Sequence, residues 1–406
     1  MQNTRASIEA GIRQFREKYH LKWDEITIVT AGDVLTSLSG QKVLYSSFRP
    51  DYAVFEPADD VEAKSIADAF GAEGAKVVHD KRFGAKVWLY VFSGKIPIPT
   101  GPFSPLPEVP GWKPPFGDHK PLLSEAVPGG EMTPFRFRDV LYRLENNSRL
   151  TDDAGKIVSG CVIRRESDDQ VIAAHPMDGH YFITAFVWND RCYCYGQNIK
   201  DRHRLDMTVS DDFIHWENPH CILDLTQENA CVFNNGVTWD GKRFVMLYET
   251  SDPKYPIFTF KFMESTDLIH WKPIPGALYG QEKYVGGPAL YYIPEDGYYY
   301  VTYVDQYVHP IERRLNYRTL LTRSRDLIHF EDAPEGRSVV EPVYSYRAHP
   351  EKHPDVYEFN SSDAEFIEDN GKVRVYFLGG NQLGVSDNQY AECPGTLASV
   401  FQSFYR

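Results

Sequence analysis

The second half of the chain repeats one pattern: short apolar strands joined by tight polar turns. Its clearest element has the form Ser-x-Asp-Leu-Ile-His-Trp, with copies at Ser210–Trp216, Ser265–Trp271 and Ser324–Phe330. A repeat of about 40–60 residues is typical of the blades of a β-propeller, each built from four strands. The pattern therefore predicts a propeller in which this element leads into the outer strand of each blade.

Each repeat also contains a hairpin in front of that element. The hairpin turns of the three copies are Asn189-Asp190, Asp240-Gly241 and Asp296-Gly297, and a fourth hairpin turns at Asn370-Gly371. Asn-Gly and Asp-Gly favour two-residue turns, because both central positions need a positive φ. Four units follow from these turns and a fifth, more degenerate one completes the ring; their approximate ranges are 175–222, 230–279, 285–341, 360–406 and 135–174.

The first part of the chain has a different character. Residues 5–19 carry apolar side chains at helical spacing, a second helix is predicted at about 59–70, and residues 86–92 read as a strand. Residues 1–95 are therefore predicted to form a small α+β domain. Residues 96–134 are predicted to be a connector, since 11 of the 27 prolines lie between Pro97 and Pro134 and each removes a backbone donor. The propeller is assigned to residues 135–406, so the fold class is mainly β.

Composition narrows the choice of partners. A formal net charge of −14 argues against nucleic acid, whose recognition needs a basic surface. No stretch is long and apolar enough to cross a membrane, and the first residues lack the apolar core of a secretion signal, so a cytoplasmic location is expected. The six cysteines contain no C-x-x-C pair, and they are expected to be buried and reduced. Homo-oligomerisation stays open.

The repeated element resembles that of the five-bladed propeller glycoside hydrolases, meaning families 43, 32, 62 and 117 and their relatives. Further similarity lies in the segments 232–249, 287–300 and 362–377, and the segment 390–405 is similar to the end of uncharacterised bacterial propellers in this group. The resemblance covers roughly residues 170–406. It implies a central funnel lined by the inner strand of each blade, with acidic residues near the start of these strands performing the chemistry.

The resemblance also implies where the catalytic groups should stand. Family 43 places a base Asp, a pKa-tuning Asp and an acid Glu in successive inner strands. In this chain Asp178 is predicted as the base, whereas the second strand offers the amides Asn234 and Asn235, and Gly286 stands where the acid is expected. Glycoside cleavage needs one protonated and one ionised carboxyl group. We therefore expect substitutes, and Glu249 and Asp363 join Asp178 as catalytic candidates.

Other polar and aromatic residues near the proposed funnel are candidates for substrate contact. Asp305 ends a strand much as Glu249 does, His175 lies beside Asp178, and aromatic rings in loops stack on sugars. The substrate-binding candidates are His175, Asn235, Asp305, Tyr255 and Tyr307. No His/Asp cluster has metal-ligand spacing, so neither a metal nor another cofactor is predicted.

The leading functional hypothesis is a glycoside hydrolase that cleaves a small oligosaccharide or glycoside by carboxylate acid/base catalysis. A propeller that binds carbohydrate without cleaving it is the first alternative, because the expected acid is replaced by Gly286. A glycoside phosphorylase is the second, with Arg313, Arg314 and Arg318 able to supply a basic cluster. In each case the partner is a small carbohydrate.

Overall fold

The computed structural model describes most of the chain after residue 111 and five short strands before it. The described ranges are 112–122, 130–151, 157–255, 258–281, 283, 285–308, 315–334, 337–343, 358, 360–380 and 386–406, with five short strands before residue 90. These strands form one antiparallel sheet in the order β1-β2-β3-β5-β4, with bounds Thr27–Val29 (β1), Ser46–Phe48 (β2), Ala53–Phe55 (β3), Ala75–Asp80 (β4) and Gly84–Leu89 (β5). The helices predicted at 5–19 and 59–70 lie outside the described residues.

Five four-stranded antiparallel sheets form the five blades, so the predicted mainly β propeller is confirmed. The strand that closes the ring is Lys120–Pro121 (β6). Blade 1 consists of Met132–Phe137 (β7), Val140–Thr151 (β8), Ile157–Arg165 (β9) and Val171–Ala174 (β10), and blade 2 of His180–Trp188 (β11), Arg191–Asn198 (β12), Arg204–Ser210 (β13) and His220–Asp224 (β14). Blade 3 consists of Val232–Trp239 (β15), Phe244–Thr250 (β16), Thr259–Ser265 (β17) and Lys272–Tyr279 (β18). Blade 4 consists of Leu290–Ile293 (β19), Tyr298–Val308 (β20), Leu315–Ser324 (β21) and Phe330–Asp332 (β22), and blade 5 of Ser362–Asp369 (β23), Lys372–Leu378 (β24) and Asn388–Pro394 (β25) together with β6.

The ring is closed by a strand from the proline-rich segment. The first strand of each blade is innermost: β7 contacts β11, β11 contacts β15, β15 contacts β19, and β23 contacts β7. The outer strand of blade 5 is β6, which pairs with β25 through Pro121 opposite Gln389 and Lys120 opposite Tyr390. The segment assigned to a connector, 96–134, thus supplies an outer strand and the beginning of β7. Proline is tolerated there because β6 is an edge strand.

The repeated sequence element forms a turn between the third and fourth strands of blades 2, 3 and 4. In blade 2, the Asp212 carboxylate accepts hydrogen bonds from the backbone N–H groups of Ile214 and His215 at 2.8 and 2.7 Å. The same two bonds recur at Asp267 and Asp326. An Asp side chain that satisfies backbone donors fixes a turn without further support, which explains why the element marks these three blades so clearly.

The apolar core lies between neighbouring blades. Between blades 2 and 3, for example, the Trp188 and Trp239 rings lie 4.9 Å apart and both contact Phe244. A C-terminal helix, Leu397–Ser403 (α1), packs Phe401 against Tyr300 with ring centroids 5.0 Å apart. In the part of the chain that the structure describes, no helix has the length and apolarity needed to span a bilayer.

A buried ion-pair network joins blade 1 to blade 5. The Arg143 side chain, 2% exposed, donates to Glu145 and Glu166 at 2.6 Å and also to Asp169, while Glu166 accepts a 2.5 Å bond from Arg374 of blade 5. Removing one partner of a buried network leaves an uncompensated charge.

We therefore expect Arg143→Met to lower the free energy of unfolding by about 3–5 kcal/mol. Urea denaturation measures this loss. The control is Arg191→Met, which breaks an exposed 2.7 Å pair with Glu217 and should cost about 0–1 kcal/mol. Equal losses in the two variants would show that the network does not stabilise the junction of the two blades.

Candidate active site

A small polar cavity lies where the inner strands begin, at the centre of the ring. Its walls come from all five blades, and its lining residues are Glu131, Thr133, Asn146, Thr184, Asn234, Asn235, Gly287, Pro288, Asp363 and Glu365. The enclosed space holds about one water molecule. The lining is therefore made of carboxyl, amide and hydroxyl groups around a space that fits a single water or a substrate hydroxyl.

Gly287 of blade 4 and Asp363 of blade 5 face each other. Asp363 has a φ of +56°, at a break in the register between Ser362 and Glu365, and this bulge directs its carboxyl group toward Gly287. Gly287 also has a positive φ, +51°. A Cβ atom there would overlap the Asp363 carboxylate and come within 2.8 Å of Val304. Glycine is required at this place because the carboxyl group fills the space of a side chain.

Glu249 lies behind the cavity wall. It is 2% exposed, and its Oε1 accepts a 2.6 Å hydrogen bond from the Gly287 N–H and a 3.4 Å bond from Asn234 Nδ2. Burial raises the pKa of Glu249 to about 8, and the nearby Asp363 charge adds to the rise. At neutral pH this carboxyl group is mostly protonated.

Glu365 lies at the base of the cavity. Its Oε1 accepts a 3.0 Å bond from Thr133 Oγ1 of the neighbouring blade 1. Burial raises the pKa of Glu365 to about 8 despite this bond. Between blades 2 and 3, Thr184 Oγ1 donates to Asn235 Oδ1 at 2.6 Å. In both places a threonine hydroxyl group thus links the inner strands of two adjacent blades.

Glu131 and Asp363 differ in how strongly they hold a proton. Glu131 directly precedes β7, and its carbonyl oxygen accepts from the Asn146 N–H at 2.8 Å. Burial, followed by the charges of Asp363 and Glu249, raises its pKa well above the usual value. Burial raises the pKa of Asp363 only to about 6, because a hydrogen bond with the Ser362 side chain opposes the shift. Burial and the charge of Asp363 thus favour a proton on Glu131, while Asp363 itself, with a pKa of about 6, is mostly ionised at neutral pH.

The raised pKa values make the stability of the protein depend on pH. Glu249 and Glu365 have a pKa of about 8 when folded and about 4.3 in an unfolded chain. Their contribution is fully present below the unfolded pKa and is lost as pH rises through about 8. We expect a lower free energy of unfolding at pH 8 than at pH 5.5 in urea titrations, and a smaller difference for Glu365→Gln. If Glu365→Gln and the exposed control Glu217→Gln both keep the wild-type difference, the pKa of Glu365 is not raised.

The structure places Asp178 and His175 away from this cavity. Asp178 lies in the turn before β11, its side chain is 63% exposed, and its Oδ1 is 3.2 Å from His175 Nδ1. The prediction of Asp178 as the base placed the first inner strand in blade 2. In the structure the first inner strand is β7 of blade 1, and the acidic residue at its start is Glu131. Neither Asp178 nor His175 contributes to the cavity lining.

Of the other candidates, Asn235 lines the cavity and Asp305 does not. Asn235 of blade 3 pairs with Tyr248, and at the same level of blade 4 Ala289 bonds to Thr302. The next residues along these strands are Glu249 and Tyr303, so Tyr303 is the blade 4 residue that matches Glu249. Asp305 lies two residues farther along and pairs with Arg318 at 2.8 Å.

The two tyrosine candidates lie elsewhere in the fold. Tyr255 is in the turn after β16, where the Lys261 ammonium group lies 5.8 Å from its ring centroid, and it is outside the cavity lining. Tyr307 pairs with Asn316 in β20, and its side chain falls outside the described residues.

Sequence reasoning missed Glu131 and Glu365. Glu365 stands two residues after Asp363, and alternation along a strand places such residues on one face, so this signal was readable. Glu131 follows Gly129-Gly130 at the end of the proline-rich segment, which concealed the start of an inner strand.

Comparisons with known proteins agree on the fold. A solved structure described as a glycoside hydrolase is 14% identical, with 70% of this chain and 94% of that protein aligned at a TM-score of 0.51. A structure described as a BT0996 RGII complex is 15% identical, with 69% and 92% aligned at a TM-score of 0.51.

No family model matches the sequence, and no curated protein matches it. The structural likeness, at these identities, establishes architecture. The chain has the five-bladed β-propeller fold of glycoside hydrolases, as its repeated sequence element predicted.

Proposed function

We propose that the protein is a glycoside hydrolase whose reacting groups are Glu131 and Asp363. The observation that carries this proposal is that both side chains line one small cavity at the centre of a propeller, with pKa values moved apart by burial and neighbouring charge. One carboxyl group that keeps its proton and one that releases it are the two groups that glycoside cleavage requires.

In this mechanism Glu131 is the general acid. It protonates the glycosidic oxygen as the bond to the leaving group breaks. Its high proton affinity comes from burial and from the charge of Asp363, so the group that must be ionised for the reaction also keeps the acid protonated. The Asn234 side chain bonds to both Glu131 and Glu249 and fixes the orientation of the acid.

Asp363 is the general base in the same mechanism. Its carboxylate faces a space for about one water molecule, which it orients and deprotonates for attack on the anomeric carbon. Glu249 holds the Gly287 backbone beside it through the 2.6 Å bond to Oε1 and acts as a positioning residue. The hydrogen bond from Thr133 to Glu365 links blades 1 and 5 at the base of the cavity.

Water is a better acceptor than phosphate at this site. The cavity lining contains no lysine, arginine or histidine among the residues described, and Arg318 is paired with Asp305. A phosphate dianion would be repelled by the ionised Asp363 carboxylate, with no cationic group in the described lining to offset the repulsion. The charge pattern therefore favours hydrolysis over phosphorolysis.

A panel of 4-nitrophenyl glycosides, covering common pyranosides and furanosides in both anomeric forms, tests the proposal. We expect release of 4-nitrophenol from at least one of them without added phosphate, and no release by the double variant Glu131→Gln/Asp363→Asn. A strict requirement for phosphate would identify a phosphorylase. Binding of the sugars without turnover of any glycoside would identify a non-catalytic carbohydrate-binding propeller.

A further inference from the structure

The proposed acid, Glu131, stands just before the regular pairing of its strand begins. The first residue pair between β7 and β8 is Met132 with Glu145, so Glu131 precedes this ladder by one residue. From blade 1, the Asn146 N–H donates to the Glu131 carbonyl oxygen at 2.8 Å. Misplacing a reacting group by about 1 Å can lower a rate by about 100-fold. The residues that hold this short piece of backbone therefore bear directly on the reaction.

Asn146 forms a rigid wall on one side of this backbone. Its Oδ1 accepts from the Ile183 N–H of blade 2, and its Nδ2 donates to the Ile183 carbonyl, both at 2.7 Å. Two bonds to one backbone residue restrict the rotation of the side chain. A Cβ atom at Gly130 would overlap the Asn146 carbonyl oxygen, so glycine is required where the chain passes this wall. Gly130 and Glu131 thus lie directly against Asn146.

Asn388 holds the same piece of backbone from blade 5. It is the first residue of β25, where it pairs with Leu378, and it is 7% exposed. Its Oδ1 accepts a 3.0 Å bond from the Gly130 N–H, and its carbonyl oxygen accepts a 2.9 Å bond from the Leu122 N–H. Leu122 directly follows β6. One buried residue therefore joins the end of the ring-closing strand to the residue before the acid.

We infer that Asn388 is a positioning residue that sets the place of Glu131 by holding Gly130 against Asn146. The inference rests on the proposed function. Asn388 is outside the described lining of the cavity, so it acts through the backbone of the acid and not on the substrate. The strand that closes the ring thereby becomes part of the active site, because β6 and the acid are fixed by the same side of blade 5.

Asn388→Leu tests this role, since it keeps the size of the side chain and removes the acceptor of the Gly130 N–H. We expect kcat on an unactivated alkyl glycoside to fall by about 10- to 100-fold with KM nearly unchanged, because the acid acts in the transition state. On a 2,4-dinitrophenyl glycoside, whose leaving group needs no proton, the loss should be about threefold or less. A merely structural role would impair both substrates equally.

Two further variants serve as controls. In Asn388→Asp a carboxyl oxygen can accept the Gly130 N–H in the same place, so the rate on the alkyl glycoside should stay within about threefold of the wild-type rate. Thr322→Val, in blade 4, removes another buried bond from a side chain to the backbone, from Thr322 Oγ1 to the Glu331 carbonyl at 3.1 Å. It should leave both rates unchanged.

Hydrogen exchange of the Gly130 amide tests the anchor without any substrate. NMR on 15N-glycine-labelled protein should show exchange about 3- to 10-fold faster in Asn388→Leu, the effect of losing one hydrogen bond, and unchanged exchange in Asn388→Asp. Unchanged exchange in Asn388→Leu would overturn the inference, and so would equal losses on the two glycosides. If the wild-type protein hydrolyses no glycoside, the proposed function fails. Faster exchange in Asn388→Leu would then still support the anchor, and unchanged exchange would refute it as well.

Discussion

Replacing Asp363 by asparagine is expected to lower kcat/KM by about 10²- to 10⁴-fold, and Glu131→Gln should cause a loss of similar size on unactivated glycosides. Each change keeps the shape of the side chain and removes its ability to exchange a proton. Both groups lie in a cavity where other carboxyl groups are mostly protonated, so the amides should be accommodated without unfolding. Steady-state kinetics on an unactivated alkyl glycoside of the sugar selected from the panel measures both losses.

The choice of leaving group separates the two roles. A 2,4-dinitrophenyl leaving group departs without protonation, so Glu131→Gln should retain most of its rate on that substrate, whereas Asp363→Asn should be impaired on both. Glu217→Gln, which alters an exposed glutamate of blade 2, should match the wild-type protein. The reverse pattern would exchange the roles of the two residues, and full activity in both variants would exclude this site.

Gly287→Ala is expected to lower activity by at least about 10²-fold, because misplacing a reacting group by about 1 Å is enough for such a loss. The added Cβ would overlap the Asp363 carboxylate and push it from the cavity. The variant should also lose about 2–5 kcal/mol of stability, the sum of roughly 1–2 kcal/mol for a left-handed alanine and about 1–3 kcal/mol for overpacking. Kinetics and urea denaturation measure the two effects.

Gly241→Ala is the matched control for this variant. Gly241 also has a positive φ, +89°, but a Cβ atom there would meet nothing within 4 Å. This variant should therefore lose only the roughly 1–2 kcal/mol of backbone strain and keep its activity. Equal behaviour of the two alanine variants would mean that Gly287 is needed for its backbone alone and does not make room for Asp363.

The propeller was predictable because its signals are local. Asp212, Asp267 and Asp326 each fix a turn through bonds to backbone groups two and three residues away, so the turn is written into a seven-residue segment. Ring closure was not predictable in this way. The pairing of Pro121 with Gln389 joins residues far apart in the chain, and a two-residue edge strand within a proline-rich segment has no period to detect.

The candidate site was predictable only in part, for a related reason. Asp363 and Glu249 were identified because each sits at an end of a clear strand, and the fold brings both to Gly287. The prediction of Asp178 placed the first inner strand in blade 2 instead of blade 1, and Glu131 was missed for the same reason. The pKa values depend on burial and on neighbouring blades, which no single segment encodes.

The pH dependence of kcat/KM tests the central claim most directly, because its limbs report the ionisation of the groups that react in the free protein. The two half-buried carboxyl groups predict a bell-shaped profile that rises through about pH 6 as Asp363 ionises and falls at higher pH as Glu131 loses its proton. In Asp363→Asn, the residual activity should lack the limb near pH 6. A profile that stays level from pH 5 to 9, or an unchanged acid limb in that variant, would contradict catalysis by these two residues.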